Sequence, residues 1–138
     1  MGQNGAGHKM KLLNNFLSLG YAALYSEALA LSEKVGITTP QFDSVIRGSR
    51  MDCGFYQTFM GYAVEGNRDA HKFTLTNALK DTRYLGAMAD EVNLANPIGN
   101  AVKNSFALAH AAGGNGPEDY VPHLTDFIMK FNKVKNNT

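Results

Sequence analysis

Residues 7–35 read GHKMKLLNNFLSLGYAALYSEALALSEKV. Met10, Leu13, Phe16, Leu17, Ala23, Leu24, Ala28, Leu31 and Val35 fall at spacings of three and four, which is the period of an α-helix. Leu12, Leu19 and Leu29 add apolar character on other faces. A helix that is apolar nearly all round belongs at the centre of a fold. The stretch therefore predicts a long, buried first helix, stopped at Gly36.

The flanking sequence continues in the same period. Thr39-Pro40 reads as an N-cap and first helical residue, with Phe42, Val45 and Ile46 as the inner face and Gly48 as the stop. A polar connector over 47–54 leads to a helix from Phe55 to Val64, ended by Gly66-Asn67, and 69–73 reads as a loop. A second long helix is expected from Thr74 to Val92, with Leu75, Leu79, Leu85, Met88 and Val92 turned inward. Asn96-Pro97 restarts the chain into a helix reaching Ala112, and Gly113 to Pro117 is a loop. The last helix is expected over Val121 to Phe131. No run alternates as a β-strand does. The expected fold is all-α: a single helical domain over 8–132, about six helices around the long first one. Residues 1–7 form its lead-in and 133–138 a disordered polar tail.

Composition narrows the function. A chain of 138 residues is one domain's worth, too short for a nucleotide-binding fold plus a separate substrate domain. Thirteen basic against twelve acidic residues give a net charge of +1, with no basic excess to neutralise a phosphate backbone, so nucleic acid is not an expected partner. No leader and no membrane-spanning stretch stand out, and Cys53 is the one cysteine, so the expectation is a cytoplasmic protein without an internal disulfide or a membrane association. His8, His71, His110 and His123 have no metal-ligand spacing, so no metal site is expected and surface or cap roles suit them.

Three places carry possible chemistry. Gly5-Ala6-Gly7 has the look of a dinucleotide-binding pair, but that reading fails on context, since Met10 stands where a third glycine belongs and no strand precedes it; the motif reads instead as a flexible lead-in to the long helix. Lys11 and Asn15, four apart, share one face of the first helix. Such a lysine either snorkels to water or exchanges a proton with a ligand that the amide holds beside it. Lys80-Asp81 are adjacent and so point apart on a helix, which a solvated face also explains.

Taken together, Gly5-Ala6-Gly7-His8-Lys9-Met10-Lys11-Leu12-Leu13-Asn14-Asn15 resembles the start of the C-terminal domain of the β-hydroxyacid dehydrogenases. That family includes 3-hydroxyisobutyrate dehydrogenase, tartronate semialdehyde reductase and, more distantly, 6-phosphogluconate dehydrogenase. Ser26 to Leu31 with Lys34-Val35-Gly36, Phe73 with Leu79-Lys80-Asp81, and Asn96-Pro97 are similar to further family blocks, so the resemblance runs from about Gly5 to Phe131. It implies that Lys11 is the catalytic lysine, handling the proton of the substrate hydroxyl, and that Asn15 holds the substrate beside it. It implies that Lys80 reaches the cofactor, that Gly7 is the glycine where the chain leaves the cofactor domain, and that Phe73 and Asp81 line or brace the substrate cleft. The implied cofactor of the full-length enzyme is NAD or NADP, with none expected in this chain alone. The implied partners are a 3-hydroxy acid, an N-terminal Rossmann domain missing here, and further copies in a homodimer or tetramer. The contrasting expectation is a non-catalytic helical oligomerisation or interaction module of the same fold.

Overall fold

The structure, a computed structural model, describes residues 5–135; the first four residues of the expected lead-in and the last three of the expected tail lie outside them. Six α-helices follow one another among the described residues: α1 (Ala6–Lys34), α2 (Thr39–Ile46), α3 (Gly54–Ala63), α4 (Leu75–Glu91), α5 (Pro97–Ala111) and α6 (Leu124–Phe131). A 3-10 turn, Val121–His123, leads into α6. No strand forms among the described residues; their isolated antiparallel bridge joins Thr74 to Tyr120. The all-α expectation holds. No described helix is long and apolar enough to cross a membrane.

Helix α1 is central, since α2, α3, α4, α5 and α6 all touch it. Its inner face is not the one the large apolar residues mark. Leu12, Leu19, Ala22, Ala23, Leu29 and Ala30 are buried, together with Ser26 and Ser32. The Ser26 hydroxyl donates to the Ala22 carbonyl at 2.8 Å and lies 3.3 Å from the Thr125 hydroxyl of α6, so its burial leaves no polar group stranded. Small residues here let α6 come close, and the bulky ones go to the other side. Leu24 and Leu31 are 66% and 65% exposed, and Met10, Leu13, Leu17 and Val35 are exposed with them. The expectation of a helix buried all round is therefore corrected to a helix with one buried face and one open apolar stripe.

The other helices depart from the sequence reading by small amounts. Helix α2 is capped by Thr38, not Thr39: its side chain accepts from the Gln41 N–H at 3.3 Å while the Gln41 side chain accepts from the Thr38 N–H at 2.9 Å. Of the three apolar residues expected inside, Phe42 and Ile46, four apart, pack on the core, and Val45 points outward at 72% exposure; the fully buried residue of α2 is Thr39. In α4 the N-cap is Thr74, accepting from the Asn77 N–H at 3.1 Å. Val92, expected inside, is the C-cap residue beyond the last helical turn and is exposed. After α6 the chain turns back: the Val134 N–H donates to the Met129 carbonyl at 2.8 Å and its side chain packs on the core.

The core gathers Leu19 and Leu29 of α1, Tyr56, Phe59 and Met60 of α3, Leu75 and Leu79 of α4, Phe106 of α5, and Leu124 and Ile128 of α6. Two hydrogen bonds beside the Thr74–Tyr120 bridge set where α4 begins. Leu75 N–H donates to Asp119 O at 2.8 Å, and Val121 N–H donates to Phe73 O at 2.7 Å. They fix the backbone of Phe73 one residue before the α4 cap, against the first turns of α1 and α4.

Candidate active site

The first turns of α1 carry His8, Lys11, Leu12 and Asn15 at steps of three and four, so all four share a face. Helix α4 carries Asn77, Lys80 and Asp81 in the same relation. Where these two faces meet, they and Phe73 line a cleft of about 230 Å³. Five of the residues singled out from sequence (Lys11, Asn15, Phe73, Lys80 and Asp81) thus come together from positions up to 70 residues apart in the chain.

A hydrogen bond ties the two walls. Asn15 Nδ2 donates to Asp81 Oδ2 at 3.0 Å, and both side chains are half-buried. Asp81 therefore pairs across the cleft and not with its neighbour Lys80. The Lys80 ammonium lies 5.9 Å from the ring centroid of Tyr84, one turn further along α4. Lys11 and Lys80 are both exposed, placing two cationic groups at the open mouth. Phe73 is half-buried behind them, its ring parallel to that of His71 at 6.1 Å. Burial lowers the pKa of His71, so this imidazole stays neutral further into the acid range than a free one.

Basic side chains gather at the start of α1. His8, Lys9 and Lys11 crowd the N-terminal end of α1, whose first turn holds no acidic residue. A cation at the positive end of a helix dipole is unfavourable by about 0.3–1 kcal/mol within the first turn, and Lys11, the sixth residue of α1, lies beyond it. Gly5, at φ 78°, caps the helix without a side-chain bond to relieve it.

Gly7 has a different position. It lies in the first turn of α1, exposed, outside the lining of the cleft, and a Cβ placed on it would meet nothing within 4 Å. Three lining residues escaped the sequence reading: His8, Leu12 and Asn77. The signal was present as helical spacing, since His8 precedes Lys11 by three and Asn77 precedes Asp81 by four. Among the described residues no group of three or more His, Cys, Asp or Glu side chains could hold a metal ion.

Size sets what the cleft can hold. Pockets that enclose a drug-sized ligand measure roughly 300–1,000 Å³. The cleft, at about 230 Å³, is smaller than that. Its lysine-bearing mouth suits one anionic edge of a larger molecule bound mostly elsewhere.

Comparison with known proteins places the chain in a family. Residues 5–122 match the family model described as NAD-binding of NADP-dependent 3-hydroxyisobutyrate dehydrogenase. The 3-sulfolactaldehyde reductase of Escherichia coli (strain K12) is 28% identical over 119 residues, 86% of this chain and 40% of that protein. Glyoxylate/succinic semialdehyde reductase 1 of Arabidopsis thaliana is 28% identical over 115 residues, 82% of this chain and 39% of the relative. The chain thus matches about two fifths of the length of these curated relatives. A crystal structure of 3-hydroxyisobutyrate dehydrogenase from Salmonella typhimurium superposes with a TM-score of 0.75 at 22% identity, over 92% of this chain and 42% of that one. That likeness supports the helical fold, and the family match carries the assignment: the chain belongs to the family of the NAD-binding region of NADP-dependent 3-hydroxyisobutyrate dehydrogenase.

Proposed function

We propose that this chain is the C-terminal, substrate-binding domain of a cytoplasmic NAD(P)-dependent 3-hydroxyacid dehydrogenase, most like a 3-hydroxyisobutyrate dehydrogenase. The reaction is oxidation of a 3-hydroxy acid to its semialdehyde. The observation that carries the reading is the gathering of Lys11, Asn15, Phe73, Lys80 and Asp81 around one small cleft.

Each residue then has a task. Lys11 Nζ takes the proton of the substrate hydroxyl during oxidation and returns it during reduction. Asn15, tied to Asp81, holds that hydroxyl beside Lys11. Phe73 supplies an apolar wall that excludes water from one side. Lys80 holds the anionic edge of the dinucleotide at the mouth, and Gly7 lies where the chain leaves the cofactor domain. NAD or NADP, when bound, supplies the acceptor for the hydride. The main anchor for its pyrophosphate is a Rossmann domain, a partner absent from these 138 residues. The isolated chain is accordingly expected to hold no cofactor and to show no turnover.

A second reading, a helical oligomerisation module, is favoured by the open apolar stripe of α1, where Leu17, Leu24, Leu31 and Val35 are exposed. A homodimer or tetramer built through this domain covers such a stripe, so self-association is compatible with both readings and the lysine decides between them. The test is Lys11→Ala in the enzyme completed by a Rossmann domain, assayed through nicotinamide absorbance with several 3-hydroxy acids. Loss of turnover by about 10²–10⁴-fold is expected. Unchanged turnover, or turnover by the 138-residue chain alone, overturns the domain reading.

A further inference from the structure

The loop between α5 and α6 holds an Asn-Gly step, Asn115–Gly116, with the Asn115 side chain exposed. Asparagine followed by glycine is a place where a polypeptide modifies itself. The Gly116 nitrogen attacks Cγ of Asn115: an N–Cγ bond forms, the Cγ–Nδ2 bond breaks, and ammonia leaves with the proton the backbone nitrogen carried. Water then opens the five-membered imide at one carbonyl or the other, leaving aspartate or isoaspartate at 115. Nothing is oxidised or reduced, and water is the one reactant consumed. Glycine favours the step because no Cβ stands in the way of ring closure.

The attacking species is the amide anion, so what holds the Gly116 proton sets the rate. That N–H donates to Asp119 Oδ2 at 2.8 Å, and the Asp119 N–H donates back to the Gly116 carbonyl at 3.3 Å. Pro117 stands second in this turn, where proline is favoured. A carboxylate on the N–H opposes loss of the proton, because the nitrogen would turn negative beside a negative oxygen. The glycine belongs to the same contact: a Cβ at 116 would meet Asp119 Oδ2 at 2.8 Å and push the carboxylate away. The close approach that requires glycine after Asn115 thus restrains the reaction that glycine invites. We propose that Asn115–Gly116 is a modification site of this chain, a spontaneous deamidation that the Asp119 carboxylate holds in check in the folded protein.

The place of the loop gives the modification a consequence. Isoaspartate routes the main chain through the former side chain and lengthens it by one carbon. The insertion falls just upstream of Asp119, whose carbonyl accepts from the Leu75 N–H, and of Val121, whose N–H donates to the Phe73 carbonyl. Those two bonds seat Phe73, a wall of the cleft.

The experiment stores the 138-residue chain in mildly alkaline buffer, folded and in urea, and follows Asn115 by peptide mapping with mass spectrometry. Mapping keeps it apart from Asn4–Gly5, the other Asn-Gly step of the chain. Hydrogen exchange at the Gly116 N–H, read by nuclear magnetic resonance, passes through the same amide anion and is measured alongside. A hydrogen bond to a charged acceptor corresponds to about a tenfold factor or more. The folded chain is therefore expected to deamidate at Asn115 about tenfold more slowly than the unfolded one. Asp119→Ala is expected to raise both Gly116 exchange and Asn115 deamidation by about that factor, with the Leu75 and Val121 N–H groups still protected. Asp119→Asn keeps an oxygen acceptor without the charge and is expected to fall between. Deamidation of folded Asp119→Ala at or below the wild-type rate overturns the inference. So does a rise that comes with lost protection at Leu75 and Val121, which marks a loosened loop. No deamidation of Asn115 in the unfolded chain overturns the site itself.

Discussion

Lowering pH should loosen the packing of α6 through His123. This imidazole is 2% exposed and joins the loop after α3 to the turn before α6. Its Nδ1 accepts from the Tyr120 N–H at 3.1 Å, which fixes the proton on Nε2, and Nε2 donates to the Arg68 carbonyl at 3.0 Å. The Arg68 guanidinium also approaches Nδ1, at 3.3 Å. A second proton has nowhere to go, because Nδ1 already faces one N–H donor and one cation. Burial, the largest cause, lowers the His123 pKa; the Arg68 charge adds to that, while the Arg68 carbonyl bond and the Asp126 and Asp119 carboxylates oppose it. The sign follows: with the folded pKa below the unfolded value of about 6.5, stability is complete above that value. It falls as pH drops toward the folded pKa, and no further loss comes from this group below it. Within the window the slope approaches about 1.4 kcal/mol per pH unit for one excluded proton. The assay is urea unfolding of the chain at several values between pH 7.5 and pH 5, comparing it with His123→Asn. The variant is expected to be less stable throughout but to lose less on acidification. His71, also lowered by burial, leaves a residual slope of the same sign. Parallel pH profiles for the two proteins would refute the linkage.

Further outcomes are expected elsewhere in the molecule. Phe106→Ala removes a ring with no exposed surface and should cost about 3–5 kcal/mol, read as a lower urea midpoint at unchanged slope; a loss under about 1 kcal/mol counts against the core as described. Thr74→Ala deletes the α4 cap and should cost about 0.5–2 kcal/mol, whereas Thr39→Ala should act through a different contact, its hydroxyl donating to Glu33 at 2.9 Å rather than capping α2. Lys80→Ala in the completed enzyme should raise the cofactor KM with little change in kcat, the reverse of Lys11→Ala; a swap of those patterns contradicts the assigned roles. Sedimentation over a wide concentration range should show self-association weakened by Leu24→Lys on the exposed α1 stripe, and a strict monomer at every concentration excludes that surface as an interface.

What could be read from the sequence, and what could not, separates along one physical line. Periodicity reports where a helix runs, because every face of a helix repeats at 3.6 residues; the ends of the first five helices agree to within a residue, while the last was expected from Val121 and begins at Leu124, after a 3-10 turn. Periodicity does not report which face is inside when two faces are apolar. On α1 the bulky stripe of Leu13, Leu17, Leu24 and Leu31 suggested the core, yet the buried face is built largely from Ala22, Ala23, Ser26, Ala30 and Ser32. Close helix packing rewards small side chains, and a buried serine that bonds its own backbone four residues back carries no hydropathy signal. The cleft shows the complementary case. Lys11 and Asn15 were legible from spacing on one helix, and Lys80 and Asp81 as a charged pair on another. That Asp81 turns to Asn15 and not to Lys80, and that His8 and Asn77 complete the walls, depends on how α1 lies against α4. Lys80 and Asp81 lie between two buried residues of α4, Leu79 and Thr82, and Lys11 and Asn15 flank buried Leu12 on α1, so the packing that places the cleft lies directly beneath it.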